Sequence, residues 1–301
     1  MNFEKRNQNS EIISEFRVQS SEFRIPPYLH DQMTQLRKAI IITGAAGGLG
    51  KAIVKCCMER FPGLAIVATD ISPEVNTMFE GPVLAYQMDV TDEASIAALR
   101  MAIEEKELQV WAIVNNAGVS DFFPITEKSK ESLEKIFAIN TFGPVNMVRA
   151  FLPHLIETKG RVVNISSESV RLPAAFHPYA NTKIALEALS VSMRNELALW
   201  GAKLILIRPG AINTPFLDGL HDLKNRTGDS IYSEYLHNFA IKAPKEIRKI
   251  VEPERVASIV LKALTKSKPK RYYRVNNNPM LRIAQRLPHW LRDYFMLRML
   301  K

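Results

Sequence analysis

Short apolar segments alternate with helical segments along most of this chain, and the first apolar segment ends in a glycine-rich turn. Residues 39–43 are apolar and β-branched, which favours a buried strand, and Gly48–Arg60 favours a helix. The same patterns predict strands at 64–69, 83–88, 110–115, 161–166, 203–208 and 271–275, and helices at 131–157 (interrupted near 143–144), 178–200 and 253–266. Thr91 is expected to cap the helix after the third strand. Because parallel strands need long crossover connections, the alternation predicts a parallel sheet with helices on both faces.

The order of these segments also predicts the domain organisation. We expect an α/β fold with one doubly wound, Rossmann-type sheet in residues 38–266, followed by a C-terminal amphipathic helical tail at 267–301. Residues 1–37 form an N-terminal extension, or else Met33 is the natural start. Ligands of such sheets bind beyond the carboxyl ends of the strands, where the strand order reverses.

Composition favours a single large domain in a reducing compartment, without a membrane-spanning helix or a metal site. With 301 residues, 47% of them hydrophobic, the chain suits one large domain. Its two cysteines, Cys56 and Cys57, are adjacent and cannot build a disulfide framework, so a reducing compartment is expected. No apolar run approaches the ~20 residues of a membrane-spanning helix. The histidines are scattered without metal-ligand spacing, so no metal site is expected.

The glycine-rich turn favours a dinucleotide site. Gly44 permits a tight turn after the first strand, and Gly48 and Gly50 let the helix approach a pyrophosphate closely. The N-terminus of that helix offers unpaired N–H groups and a positive dipole to phosphate. The spacing is Gly-x-x-x-Gly-x-Gly rather than Gly-x-Gly-x-x-Gly.

Two carboxylates at strand ends extend this prediction. Asp70 follows Gly50 by 20 residues, a spacing suited to binding the adenosine ribose hydroxyls. A carboxylate repels a 2′-phosphate, and Ala46 and Ile71 offer no cation to attract one, so NAD(H) is predicted over NADP(H). Asp89, with Val90 beside it, holds the adenine or simply begins the next helix.

Tyr179 and Lys183 stand four residues apart in a predicted helix and therefore share a face. A cation beside a phenol is expected to lower the phenol pKa from about 10 toward neutral pH. Such a tyrosine can serve as a general acid or base.

At this point the sequence resembles the short-chain dehydrogenase/reductase family over about residues 38–266, nearest to its retinol and hydroxysteroid dehydrogenase members. The resemblance rests on the turn at 43–50, the Asn-Asn-Ala-Gly run at 115–118, Asn140, the serine pair at 166–167, Tyr179 with Lys183, and the segment at 209–214. It implies a single doubly wound domain that uses a nicotinamide cofactor.

The resemblance also implies roles for these residues. Tyr179 gives a proton to a carbonyl oxygen or takes one from an alcohol, Lys183 binds the nicotinamide ribose, and Asn140 holds a water in the proton path. Further cofactor contacts are implied for Leu49, Asn116, Ala117, Gly118, Pro209, Gly210, Ile212 and Thr214, together with Ala46, Tyr179 and Lys183.

A serine hydroxyl orients the substrate oxygen in this family, and two serines compete for that role. Ser166 precedes Tyr179 by 13 residues and Ser167 by 12, and both spacings occur among the family's members. The strand at 162–167 matches the family with the second serine catalytic, so Ser167 is predicted.

Substrate and partners are predicted from the C-terminal third of the chain. Residues 214–245 form an apolar lid, which favours a steroid- or retinol-like substrate or simply packs on itself. The chain has a net charge of +9. Residues 266–301 hold ten basic residues and one acid, which is also a net charge of +9, so the rest of the chain is neutral on balance. In the tail Met280, Ile283, Leu287, Trp290 or Leu291, and Tyr294 recur at helical spacing, with Pro288 dividing two helices.

We therefore predict a cytoplasmic, NAD(H)-dependent oxidoreductase that interconverts a secondary alcohol and a carbonyl and forms a homodimer or homotetramer. The basic amphipathic tail either contacts a membrane surface peripherally or packs on the protein. Nucleic acid is not an expected partner, because no recognition motif accompanies the charge. The rival classes are a non-catalytic nucleotide-binding sensor or scaffold on the same fold, and a membrane-surface protein.

Overall fold

The computed structural model describes residues 37–171, 174–217, 223, 228, 230–247 and 249–301. The predicted N-terminal extension, except Arg37, and the alternative start at Met33 lie outside these residues, as does part of the predicted lid.

A single sheet of seven parallel strands organises the described part of the chain. The strands are β1 (Arg37–Thr43), β2 (Ala65–Asp70), β3 (Val83–Gln87), β4 (Leu108–Asn115), β5 (Arg161–Ile165), β6 (Lys203–Pro209) and β7 (Tyr272–Val275). Their order is β3-β2-β1-β4-β5-β6-β7, and every neighbouring pair is parallel. The order reverses between β1 and β4, so the predicted doubly wound sheet is confirmed and its switch point lies there.

Helices cover both faces of the sheet. They are α1 (Gly48–Arg60), α2 (Glu93–Glu105), α3 (Lys130–Phe137), α4 (Gly143–Ala150), α5 (Leu152–Glu157), α6 (Pro178–Ala198), α7 (Ser233–Glu246), α8 (Pro253–Thr265), α9 (Pro279–Ala284) and α10 (His289–Leu300). Successive strand residues point to opposite faces. Ile40 and Ile42 of β1 therefore join a core with α1 and α8, whereas Ile41 joins a second core with α2, α4 and α6.

The helix predicted at 131–157 is divided into α3, α4 and α5, and a π-helical turn, Ala138–Phe142, lies between the first two. Such turns insert one extra residue into a helix and often occur at functional sites. Here the turn carries Asn140, whose side chain is fully buried.

The predicted cap of α2 is wrong by one residue. The carboxylate of Asp92 accepts the backbone N–H of Ala94 at 2.9 Å and caps the helix. Thr91 instead donates its N–H and its hydroxyl to Asp89 Oδ1, each at 2.8 Å, so its hydroxyl is already committed to the preceding turn.

The tail consists of α9 and α10, which begin on either side of Pro288, the residue before α10. Met296 and Leu300 of α10 pack into an apolar cluster with Leu236 and Phe239 of the lid helix α7. Asn238 Nδ2 also donates to the backbone oxygen of Leu300 at 3.0 Å. The tail is therefore attached to the lid.

The described residues contain neither a membrane-spanning helix nor a cluster of metal-binding side chains. Among these residues no helix is both long and apolar enough to cross a bilayer. Within the same ranges no group of three His, Cys, Asp or Glu side chains could hold a metal ion.

Candidate active site

The glycine-rich turn lies at the switch point and leaves no room for side chains. Gly44 has a φ of +67°, and a Cβ there would lie 2.7 Å from Ala117 Cα. A Cβ on Gly50 would lie 2.1 Å from the carbonyl oxygen of Gly44, and one on Gly48 would lie 2.8 Å from Thr214 Cγ2. The turn is thus a bare backbone surface between the ends of β1, β4 and β6.

The start of α1 carries no side-chain cap, because its N-cap residue is Gly47. The first N–H groups of a helix have no partner within the helix, and they attract anions. An uncapped helix start beside a turn of bare backbone fits the pyrophosphate of a dinucleotide.

Asn116 and Thr43 fix the ends of β1 and β4 to one another. Thr43 Oγ1 accepts the backbone N–H groups of Asn116 and Ala117 at 3.1 Å each. Asn116 Nδ2 donates to the carbonyl oxygens of Thr43 and Gly44, both at 3.0 Å. Sequence reasoning did not assign this role to Thr43, although its position as the last residue of a buried strand is a signal for it.

Asp70 lies at the end of β2, beside the glycine-rich turn. Its Oδ2 accepts the backbone N–H of Ala46 at 2.9 Å, and its Oδ1 accepts that of Ser72 at 2.9 Å. The carboxylate is therefore held at the edge of the turn, where each oxygen keeps a lone pair for a further donor.

Asp89 and Val90 lie at the end of β3 and take part in local structure. Asp89 Oδ1 accepts from Thr91 in the turn before α2, and Asp92 rather than Asp89 begins that helix. Val90 is buried, and a Cβ on Gly143 would lie 2.7 Å from Val90 Cγ2. Val90 therefore packs against the start of α4.

Tyr179, Lys183 and Ser167 converge at the carboxyl end of β5. Pro178 starts α6 and places Tyr179 in its first turn, where the phenol is buried and the Ser167 hydroxyl lies near enough to lower its pKa. The Lys183 ammonium lies 5.7 Å from the Tyr179 ring centroid and donates to the carbonyl oxygen of Ile165 at 3.0 Å. The structure brings these three groups together as the sequence predicted.

The pKa values differ from the sequence expectation. Burial raises the pKa of Tyr179 above its ordinary value, and the hydrogen bond from Ser167 offsets this only in part. Burial lowers the pKa of Lys183 to about 8. The sequence predicted that Lys183 lowers the pKa of Tyr179. In the structure the pKa of Tyr179 is raised instead, because removal from water disfavours the phenolate. Tyr179 is a neutral phenol at neutral pH.

The two candidate serines have different partners. Ser166 Oγ donates to Glu187 Oε1 at 2.6 Å, and Glu187 also pairs with the guanidinium of Arg208, whose Nε lies 2.7 Å from Oε1. Ser167 Oγ instead accepts the N–H and the hydroxyl of Ser169 at 3.1 and 2.9 Å, and it lies close enough to the Tyr179 phenol to lower the pKa of that phenol. Only the second serine thus has its hydroxyl beside the tyrosine, while the first belongs to a buried ionic network.

Asn140 connects the loop after β4 to α6. Its Nδ2 donates to the carbonyl oxygen of Val119 at 2.9 Å and to Thr182 Oγ1 at 3.1 Å, and its Oδ1 accepts the N–H of Val119 at 2.8 Å. Thr182 Oγ1 in turn donates to the carbonyl oxygen of Tyr179 at 2.7 Å. Asn140 therefore supports the turn that carries the tyrosine, and Thr182 is a supporting residue that the sequence did not reveal.

Gly118 leaves open the space between Asn140 and Lys183. A Cβ on Gly118 would lie 3.1 Å from Asn140 Oδ1 and 3.6 Å from Lys183 Nζ. One lone pair of Asn140 Oδ1 faces this region without a protein donor, so the geometry leaves capacity for a water there.

The segment after β6 returns to the glycine-rich turn. Pro209 is buried, and a Cβ on Gly210 would lie 2.2 Å from the carbonyl oxygen of Asn276, so glycine is required. Ile212 pairs with Val251 in a short bridge, and Thr214 lies against Gly48. Leu49, also predicted at this site, packs instead against the core under α1.

Aromatic rings surround the Tyr179 phenol. Phe216 meets it edge-on with ring centroids 5.2 Å apart, and the His177 ring lies 5.6 Å away. Phe122 stacks on His177 at 4.5 Å. Burial lowers the pKa of His177 to about 4, so its ring is neutral at neutral pH. The phenol therefore faces a largely apolar surrounding, to which Phe122 is a contributor that the sequence did not indicate.

Comparison with known proteins agrees with this geometry. The family model described as short chain dehydrogenase matches residues 38–224. Estradiol 17-beta-dehydrogenase 2 of Rattus norvegicus is 34% identical over 213 residues, covering 68% of this chain and 54% of that protein. The mitochondrial D-beta-hydroxybutyrate dehydrogenase of Bos taurus is 34% identical over 184 residues, covering 58% and 54%. Retinol dehydrogenase 5 of Homo sapiens is 30% identical over 183 residues, covering 58% and 57%.

The chain thus spans about half the length of the curated relatives it matches. Among solved structures, a short chain dehydrogenase from Burkholderia cenocepacia in complex with NADP superposes with a TM-score of 0.64 at 24% identity, covering 88% of this chain and 98% of that one. That likeness concerns the fold. From the family match and the arrangement of the sheet, the chain belongs to the short-chain dehydrogenase family.

Proposed function

We propose that this protein is an NAD(H)-dependent oxidoreductase that interconverts a secondary alcohol and a carbonyl. The observation that carries the proposal is the buried phenol of Tyr179, which has the Ser167 hydroxyl beside it and the Lys183 ammonium 5.7 Å from its ring centroid. This group lies at the same edge of the sheet as a turn suited to a dinucleotide. Carbonyl reduction needs a proton donor and a group that orients the oxygen, in addition to a hydride donor.

Four side chains, those of Ser167, Tyr179, Lys183 and Asn140, each have one role in the proton transfer. Ser167 orients the substrate oxygen, and Tyr179 donates its proton to that oxygen in reduction or removes the proton in oxidation. Burial keeps the Tyr179 phenol protonated before reaction, so its proton is available to a carbonyl oxygen that gains negative charge as hydride arrives. Lys183 supplies a nearby positive charge, and Asn140 holds a water beside Gly118 for proton exchange.

The cofactor supplies the hydride when it is bound. The glycine-rich turn and the start of α1 would hold its pyrophosphate, and the segment that includes Ile212 and Thr214 would face the nicotinamide. Asp70 would bind the adenosine ribose hydroxyls, and its charge at the edge of the turn favours NAD(H) over NADP(H). Asp89 and Val90 would border the adenine.

We infer an apolar substrate of the steroid or retinol class. The rings of Phe122, His177 and Phe216 around Tyr179 support this, since they favour contact with hydrocarbon. Relatives named for estradiol and retinol agree with an apolar substrate, whereas the relative named for hydroxybutyrate indicates that the family match alone does not determine the size of the substrate.

The test is the absorbance of the reduced nicotinamide during turnover. Estradiol, retinol, simple secondary alcohols and hydroxybutyrate are each offered with NAD and then with NADP. Turnover of an apolar alcohol with NAD is the expected result. Turnover only with NADP would contradict the assignment of Asp70, and cofactor binding without any turnover would favour a nucleotide-binding sensor or scaffold.

We also propose that the protein forms a homodimer or homotetramer through the helices that follow β4 and β5. Large apolar side chains are exposed there: Phe142 in the π-helical turn, Leu152 in α5, and Leu189 and Val191 in α6. Such exposed groups on neighbouring helices are typical of subunit interfaces. Analytical ultracentrifugation is expected to show a dimer or tetramer that Val191→Glu dissociates, and a wild-type monomer at every concentration would contradict the proposal.

A further inference from the structure

Most of the predicted apolar row of the tail helices is exposed, while Leu287 and Leu291 are partly buried. Met280, Ile283, Trp290 and Tyr294 are between 50% and 70% exposed, although the helical spacing of this row resembles that of a buried face. The contacts of α10 with the lid are made by other residues, Met296 and Leu300. The apolar row is therefore not needed to attach the tail.

Further apolar groups enlarge this surface. Phe295 and Leu297 of α10 are 52% and 57% exposed. We call the exposed apolar residues of α9 and α10 the outer tail face; they are Met280, Ile283, Trp290, Tyr294, Phe295 and Leu297. Exposed apolar side chains gathered on two successive helices are typical of sites that bind another molecule or a membrane.

Cations accompany the outer tail face. Residues 279–301 contain five basic residues and one acid, Asp293, and Arg286, Arg298 and Lys301 are exposed. The remaining cations of the basic segment lie elsewhere, because β7 carries the chain from the amino end of the sheet, where Lys268 and Lys270 are found, to its carboxyl end. The fold thus divides the basic segment that the sequence treats as one tail.

An apolar cavity opens beside the same helix. It has a volume of about 450 Å³, and its lining includes Ile125, Phe176, Tyr235, Leu297 and Leu300. Leu297 belongs to both the cavity lining and the outer tail face, and Ile125 and Tyr235 are themselves 42% and 38% exposed. The mouth of the cavity is therefore apolar and adjoins the outer tail face.

One residue of the cavity lining is next in the chain to a residue of the active site. Phe176 lines the cavity with a φ of +60°, a backbone conformation that is strained for a bulky residue. The next residue, His177, has its ring 5.6 Å from that of Tyr179. The turn at 176–177 thus contributes one residue to the cavity lining and the next to the surroundings of the phenol.

We propose that the outer tail face binds the surface of an anionic lipid bilayer and places the mouth of this cavity at the membrane. Tryptophan and tyrosine favour the interface between hydrocarbon and water, and arginines beside them favour anionic headgroups. A substrate dissolved in the bilayer then enters the cavity directly. This last step rests on the proposed function, whereas the binding of the bilayer does not.

The experiment measures sedimentation of the full chain with vesicles, without any turnover. Vesicles of phosphatidylcholine with phosphatidylserine are compared with vesicles of phosphatidylcholine alone. The double variant Trp290→Ala, Phe295→Ala is expected to lose about tenfold or more in affinity for the anionic vesicles. The matched control, Leu199→Ala with Trp200→Ala, removes side chains that are 84% and 59% exposed at the end of α6, and is expected to change the affinity less than about twofold.

A second pair of variants tests the charge. Arg286→Gln with Arg298→Gln is expected to lose about tenfold or more in affinity for the anionic vesicles, because each cation near the surface contributes to the attraction. Lys130→Gln with Lys135→Gln, at two exposed positions of α3, is the matched control. Thermal unfolding of each variant checks that the fold is intact.

Three results would overturn the proposal. They are no binding of the wild type to anionic vesicles, equal affinity for neutral and anionic vesicles, and equal losses in the tail variants and their controls. A self-association in the absence of lipid that Trp290→Ala and Phe295→Ala abolish, without any vesicle binding, would assign the face to a second copy of this chain. Because the assay requires no catalysis, failure of the proposed enzymatic function would leave its outcome unaffected.

Discussion

Removal of the Ser166 hydroxyl is expected to lower stability, whereas removal of the Ser167 hydroxyl is expected to lower turnover. Ser166 is 2% exposed, and its hydroxyl makes a 2.6 Å hydrogen bond to the Glu187 carboxylate. Buried hydrogen bonds to charged groups contribute about 1.5–3 kcal/mol to the free energy of unfolding. Because Glu187 Oε1 keeps Arg208 as a partner after Ser166→Ala, we expect the lower part of that range, about 2 kcal/mol.

A loss of about 2 kcal/mol corresponds to a fall in Tm of about 4–8 °C for a domain of this size. The kcat of Ser166→Ala is expected to stay within about threefold of the wild type. Ser167→Ala should show the reverse, because loss of a hydroxyl that binds the reacting oxygen costs about 100-fold in kcat, as for one donor of an oxyanion site. Its Tm should change by less than about 3 °C, since Ser167 is only partly buried.

The assays are thermal unfolding and steady-state turnover of both variants under the same conditions. If Ser166→Ala loses turnover while Ser167→Ala keeps it, the assignment of the hydroxyls is refuted. Equal effects of the two substitutions on both quantities would show that the serines act as one structural unit.

Three further predictions concern the glycine-rich turn, the acidic residue beside it and a buried histidine. Gly50→Ala should lower the free energy of unfolding by about 1–3 kcal/mol and weaken NAD binding, because its Cβ would lie 2.1 Å from the carbonyl oxygen of Gly44. NAD binding is measured by calorimetric titration. The control is Gly63→Ala, where a Cβ meets nothing within 4 Å. Asp70→Ser should lower kcat/KM with NAD by about 10–100-fold and leave or raise that with NADP, and an unchanged ratio would contradict the assigned role. Burial lowers the pKa of His177 to about 4. The unfolded chain therefore binds the extra proton first, and the free energy of unfolding should fall as pH falls from about 6.5 to about 4; in denaturant titrations His177→Phe should show a weaker fall.

Much of the fold follows from local sequence. Residues 48–60 form the predicted helix with both predicted bounds, because the glycine-rich turn and the apolar strand before it constrain its start. The strands were predicted to within two residues at each end, since runs of β-branched residues buried on both faces have few alternatives. The doubly wound arrangement of the sheet follows from the family resemblance and the alternation together.

Features that depend on distant contacts were not predictable in this way. The π-helical turn at 138–142 fixes Asn140 through bonds to Val119 and Thr182, and neither partner is close to it in sequence. The direction of the tyrosine pKa depends on how much water the fold removes, which the spacing of Tyr179 and Lys183 does not reveal.

The C-terminal tail is a second region in which the sequence pattern did not reveal the tertiary contacts. Helical spacing correctly indicated an apolar row in residues 280–294, but spacing does not state what the row faces. In the structure Met296 and Leu300 make the contact with the lid, and Met280, Ile283, Trp290 and Tyr294 of the predicted row are exposed. The charge of the segment also divides between two ends of the sheet, because β7 interrupts it.

The central claim is that Tyr179 transfers the proton in an oxidation or reduction of substrate. The most direct measurement is kcat of Tyr179→Phe beside the wild type with saturating cofactor, with the Kd of the cofactor measured on both proteins. The account predicts a fall in kcat of about 100- to 10,000-fold, a Kd within about threefold, and no comparable loss for the control Tyr86→Phe in β3. A Tyr179→Phe enzyme that retains kcat within a few-fold of the wild type would contradict it.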